Sequence, residues 1–176
     1  AFTEFDGKWA QRFGDKPLGQ IEKFPFKYLG GTYTWCDGNI LVGAGHLLHD
    51  LEAKLAELLA CPDAARLPRL NIATPIAANA LAKLFEPGEI IANRHCPTLA
   101  RSALGIVGYI ATQYRPDAAF AYIAGSQHIT KNFTPQTLQC VIQMAACICD
   151  TKHLKLTYRP APWTGEPQAT RIELEY

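Results

Sequence analysis

The chain has 176 residues, 48% of them hydrophobic and 19% charged, with a formal net charge of +1. Such a balance excludes long disorder, which needs few apolar residues and much charge. It also excludes a grossly basic nucleic-acid binder, though not a local basic patch. The length suits a single domain over 1–176, with a core large enough to need neither disulfides nor metal. Six cysteines (Cys36, Cys61, Cys96, Cys140, Cys147 and Cys149) are too sparse for a stapled scaffold. Mostly free, buried thiols are expected, with one or two bridges as the alternative.

In chain order, Phe2, Phe5, Trp9 and Phe13 recur at helical spacing, and Gly14 ends that helix. An aromatic, glycine-rich stretch follows. It predicts strands over Tyr28 to Trp35 and Ile40 to Val42, joined by a turn at Cys36-Asp37-Gly38-Asn39. From Gly45 the period becomes helical through Leu47, Leu48, Leu51, Leu55, Leu58 and Leu59, and Cys61-Pro62 closes it. Thr74-Pro75 reads as a cap and first-turn proline for a helix reaching Phe85. Cys96-Pro97-Thr98 opens a helix so apolar that it is expected to be central and buried. A shorter helix is predicted from Asp117 to Ala124, ended by Gly125, and another from Thr134-Pro135. Alternation over His153 to Tyr158 and Arg171 to Tyr176 predicts a closing hairpin with a long loop. The fold class is therefore α+β, mainly α: a β-rich hairpin segment near the N-terminus, a helical body and a C-terminal β-hairpin. The longest apolar stretch, Ala103 to Ala111, is too short to span a bilayer, and no signal peptide is visible.

Two carboxylates flank the aromatic segment. Glu22, near Phe24, Phe26 and Trp35, is a candidate for desolvation and a raised pKa, which suits a proton donor. Asp37, in a polar turn, stays ionised; the bland alternative is an Asx-turn with Gly38. Paired carboxylates with different surroundings can divide acid and base roles. Other chemistry is weaker. Cys36 with His46 is a candidate dyad but heads no predicted helix. His46 with His49, His95-Cys96, and Cys147-x-Cys149 with His153 show no matched second ligand pair, so no metal is expected. Gly43-Ala44-Gly45 lacks the remaining features of a phosphate loop, and no cofactor is expected.

The run Gly38-Asn39-Ile40-Leu41-Val42-Gly43-Ala44-Gly45-His46-Leu47-Leu48-His49, preceded by Ile21-Glu22-Lys23-Phe24, resembles the phage-type lysozymes. Those muramidases have a hairpin ending in a Gly-x-Gly-His run and a catalytic Glu before it. The resemblance implies a peptidoglycan or other glycan substrate, with Glu22 as the acid and Asp37 as its partner carboxylate. It further implies Trp35 and Tyr33 as a sugar-stacking platform and His46 as a residue shaping the hairpin. The sequence departs from the family pattern in the wider gap between Glu22 and Asp37. It also has Leu41 where the family has a Thr, with Thr34 as a candidate replacement hydroxyl. A second resemblance covers Thr134 to Glu173. Pro135-Gln136-Thr137-Leu138, His153 to Tyr158, Gly165-Glu166 and Arg171-Ile172 are similar to the opening of WYL-domain regulators, which implies a nucleic-acid partner. A non-catalytic accessory protein that binds another protein is the third class; sequence assigns no oligomeric state.

Overall fold

The computed structural model describes residues 24–67, 74–76, 82–84, 86, 88–91, 95–129, 133–159 and 172–174. The predicted helix over the first sixteen residues lies outside them, as does half of the helix predicted from Thr74 to Phe85; Thr74 to Ile76 form a bend, and helical backbone appears at 82–84.

Three strands come first: β1 (Phe26–Tyr28), β2 (Gly31–Cys36) and β3 (Asn39–Gly43). The strand predicted over Tyr28 to Trp35 is thus two strands. Leu29 and Gly30 have φ of 46° and 83°, both left-handed, and form a two-residue turn between paired Tyr28 and Gly31. Two consecutive positive φ values define the turn whose twist matches a hairpin. Asp37 (φ 48°) and Gly38 (φ 79°) repeat the geometry between Cys36 and Asn39, as their sequence led one to expect.

The helices are α1 (His46–Leu59), α2 (His95–Gln113), α3 (Ala119–Ile129) and α4 (Pro135–Asp150). Thr134 caps α4 as expected: its hydroxyl accepts from Thr137 N–H at 3.3 Å. Gly125 does not end α3 but lies within it. A Cβ there would meet Met144 Cε at 2.8 Å and Cys140 Sγ at 3.6 Å, so the glycine lets α3 approach α4 closely. The helix at Thr98 is less enclosed than its composition implies, since Arg101, Ser102, Gly105, Tyr109, Thr112 and Gln113 are exposed along α2. The more completely buried helix is α4, from Leu138 to Ile148.

Two further strands follow, β4 (Leu156–Tyr158) and β5 (Ile172–Leu174). They pair antiparallel as the expected hairpin, with Leu156 opposite Leu174. The two β segments are one structure, however. β3 pairs with β4, Val42 opposite Leu156, giving a five-stranded antiparallel sheet in the order β1-β2-β3-β4-β5. Directly opposed residues share a sheet face. Val42 and Leu156 both enter the core formed with Leu51, Leu58, Val107, Ile110, Ile142 and Ile148, so this face lies against the helices. The result is an α+β fold, mainly α. Among the described residues no helix is long and apolar enough to cross a membrane.

Arg115 ties the body together from inside. Its side chain is almost fully buried, and its guanidinium donates to both carboxylate oxygens of Asp117 at 2.9 and 2.7 Å. It also donates to Thr151 O at 3.0 Å and Thr151 Oγ1 at 2.9 Å, at the end of α4. A bidentate carboxylate satisfies one edge of the fork, and the α4 terminus, where carbonyls lack helical partners, takes two further N–H groups.

Candidate functional site

The sheet face that meets the helices continues past them, and there it is aromatic. β-strand alternation puts Phe26 and Tyr28 on the same side, and the register sets Phe26 opposite Tyr33. Their rings stack with centroids 4.9 Å apart and planes 1° from parallel. Phe24 lies 5.1 Å from Phe26 and 5.8 Å from Trp35, both tilted, and Tyr28 meets Tyr33 edge-on at 6.5 Å. Tyr33 is half-buried against the core, and burial raises its phenol pKa, with Tyr158, Tyr28 and Tyr109 adding to the effect. Phe24, Trp35 and Tyr28 are 40%, 50% and 60% exposed. Five rings thus form a ledge whose inner edge is core and whose outer edge meets water. Such contiguous exposed apolar surface marks a binding surface more often than a scattered side chain does.

Beyond its pairing with β3, the ledge is tied to the helical body at one backbone atom. Tyr109, near the end of α2, and Tyr114, just after it, donate their phenol hydroxyls to Leu29 O at 2.8 and 2.6 Å. Gly31 completes the joint: a Cβ there would lie 2.6 Å from Tyr114 Cε1. Burial pushes the Tyr114 phenol up to about 12, with Tyr109 and Tyr33 reinforcing the shift and a Gly31 backbone contact opposing it. The Tyr114 phenol is therefore a neutral donor at ordinary pH.

The sequence candidates divide as follows. Trp35 and Tyr33 share the ledge. Asp37 sits beside it in the turn, exposed; its carboxylate accepts from the Cys36 thiol at 3.5 Å, and its carbonyl accepts from Asn39 Nδ2 at 3.3 Å. Its left-handed backbone is what this turn requires and favours Asp or Asn there. His46 begins α1 and is exposed; no ring contact or hydrogen bond among the described residues joins it to the ledge. Glu22 lies outside the described residues. Thr34 stands opposite Leu41, and Leu41 opposite Thr157, on the sheet face away from the rings, so the Thr34 hydroxyl does not stand in for one beside the ledge. Sequence reasoning missed Phe24, Phe26 and Tyr28 as members of one surface, because only the turn at Leu29 brings β1 alongside β2.

None of the six cysteines is in a disulfide; Cys36 is exposed, Cys149 half-buried and the other four buried. Among the described residues no group of three or more His, Cys, Asp or Glu side chains is placed to hold a metal ion. Neither a family model, nor a curated protein, nor a solved structure matches this chain.

Proposed function

We propose that the chain binds a peptidoglycan-type glycan on the aromatic ledge, and that it is a muramidase in which Glu22 and Asp37 act on the bound strand. The observation that carries the reading is the row Phe24, Tyr28 and Trp35, partly exposed on a sheet face anchored to the helical body. Sugar rings present C–H faces that stack on aromatic side chains, and a fixed platform loses little conformational freedom on binding. In the catalytic step Glu22 donates its proton to the glycosidic oxygen, while Asp37 stabilises the oxocarbenium-like centre or orients the attacking water. The resemblance of residues 21–49 to phage-type lysozymes supports that assignment.

Sedimentation with insoluble peptidoglycan, read beside turbidity clearing, tests both parts. The wild-type chain is expected to co-sediment and to clear. Trp35→Ala is expected to lose binding at least tenfold with its circular dichroism unchanged. Glu22→Gln is expected to keep binding and lose clearing. A folded wild-type chain that stays in the supernatant overturns the glycan reading. Binding without clearing overturns the hydrolase and leaves a glycan-binding protein.

A further inference from the structure

We propose that the aromatic ledge takes a linear glycan lengthwise, its two open ends holding the first and third of three successive sugar rings. The inference rests on the glycan reading above and adds the length and direction of the bound strand. The ledge is long and narrow. Its rings come from β2, β1 and the residues leading into β1, and β1 is the outermost strand of the sheet among the described residues. On the other side the same face continues into Val42 and Ile40, opposite Tyr33 and Trp35. Those two are aliphatic and belong to the core or pack on it. Neighbouring strands are only about 5 Å apart, so the aromatic surface is short in that direction. Lengthwise it is longer. Tyr28 is paired with Gly31, and Trp35 lies four residues further along β2, which separates the two levels by about 13 Å.

Exposure is divided along that length. Trp35 with Phe24 makes one open end and Tyr28 the other. Between them Phe26 and Tyr33 stack on each other and are half-buried. At the Tyr28 level Gly31 brings no side chain, and its Cβ position lies against the Tyr114 ring. A single sugar can cover one end only, whereas a chain laid along the strands reaches both. In a β-1,4-linked glycan successive rings are turned over, so the first and third present the same face while the second passes over the half-buried pair. Holding two points of one chain makes the second contact intramolecular, which strengthens binding steeply once the ligand spans both points and not before. The Trp35 end has two open rings against one at Tyr28, so a disaccharide settles there. Phe, Tyr and Trp side chains carry no charge at ordinary pH, so the ledge recognises sugar faces rather than the charged peptide stems of peptidoglycan. A neutral oligosaccharide is therefore a sufficient probe.

The test is titration calorimetry of the full chain carrying Glu22→Gln, to suppress turnover, with chitin oligomers of increasing length. The expected result is a Kd that falls roughly tenfold or more between the disaccharide and the trisaccharide, and about twofold or less with each sugar added beyond it. Tyr28→Ala should abolish the step and leave the trisaccharide at the disaccharide's affinity, and Tyr28→Phe should restore it. Trp35→Ala should weaken the disaccharide and the trisaccharide alike. Tyr28 is 60% exposed, so both of its variants are expected to keep the parent Tm. A Kd independent of length, or a step that survives Tyr28→Ala, overturns the lengthwise reading and leaves a glycan-binding ledge. Sedimentation with peptidoglycan without binding of any chitin oligomer overturns it too, because recognition would then lie in the peptide stems. A folded chain that binds neither overturns the glycan reading and this inference together.

Discussion

The helical body and the aromatic ledge are built from similar residues and held by different means. In the body, Leu51, Leu58, Ile110, Leu138, Ile142 and Ile148 fill the space between three helices and one sheet face, and none of them meets solvent. In the ledge, the described rings pack on one another, and besides its pairing with β3 the hairpin is tied to the end of α2 by two phenols on a single carbonyl. The body's stability comes from removing apolar area from water, spread over many side chains. The ledge's position comes from a few directional contacts. A surface built that way can keep apolar rings in water without costing the fold its integrity.

The comparison can be broken most strongly in the body. Leu51→Ala leaves a cavity under α1 and is expected to cost about 2–5 kcal/mol, seen as a reduced urea midpoint with one cooperative transition. Arg115→Ala comes next. It strands Asp117 and uncaps the end of α4, for a loss of about 3 kcal/mol in the same assay. Were that loss under ~1 kcal/mol, the buried guanidinium would not be a tie.

The joint between the regions should respond more locally. Gly31→Ala drives a methyl into the Tyr114 ring and should detach the hairpin, raising hydrogen exchange at β1 and β2 while leaving α4 protected. Tyr114→Phe removes one of the two donors, for about 1 kcal/mol. The same joint has a pH dependence of definite sign. Because the folded Tyr114 phenol is raised to about 12 against an ordinary 10.0, its contribution is fully present below pH 10 and is lost as pH rises towards 12. A stability profile flat between pH 9 and 12, unchanged by Tyr114→Phe, would remove Tyr114 from the account. The smallest effect is expected at Gly125→Ala. Its new methyl meets the free end of Met144, so the repacking cost and the gain in helix propensity should leave stability within about 1 kcal/mol of wild type.

Much of the body was legible in the sequence because helical burial writes itself at three- and four-residue spacing, as in Leu47 to Leu59, and because Thr134-Pro135 is a local start mark. The turn at Asp37-Gly38 was legible for the same local reason. The turn at Leu29-Gly30 was not: leucine rarely takes a left-handed φ, and what holds it there is a pair of tyrosines 80 and 85 positions away. Gly125 was misread because a glycine that ends a helix and one that admits a neighbouring helix look alike in one dimension. The union of the two hairpins through β3 and β4 left no local trace either, since Val42 and Leu156 meet only after the helices between them have packed. Of the candidate site, Tyr33, Trp35 and Asp37 could be named from sequence, whereas their three aromatic companions became visible only with the register.

Leu29 carries an unusual division of labour. Its carbonyl is engaged twice, while its side chain is 61% exposed and close to the rim of the ledge. The joint therefore grips main chain and leaves the side chain to chance, so the identity of residue 29 is nearly independent of the anchoring. A reporter group attached there would ride on the ledge's rigid frame, sensing whatever settles beside Tyr28 without loosening what holds it.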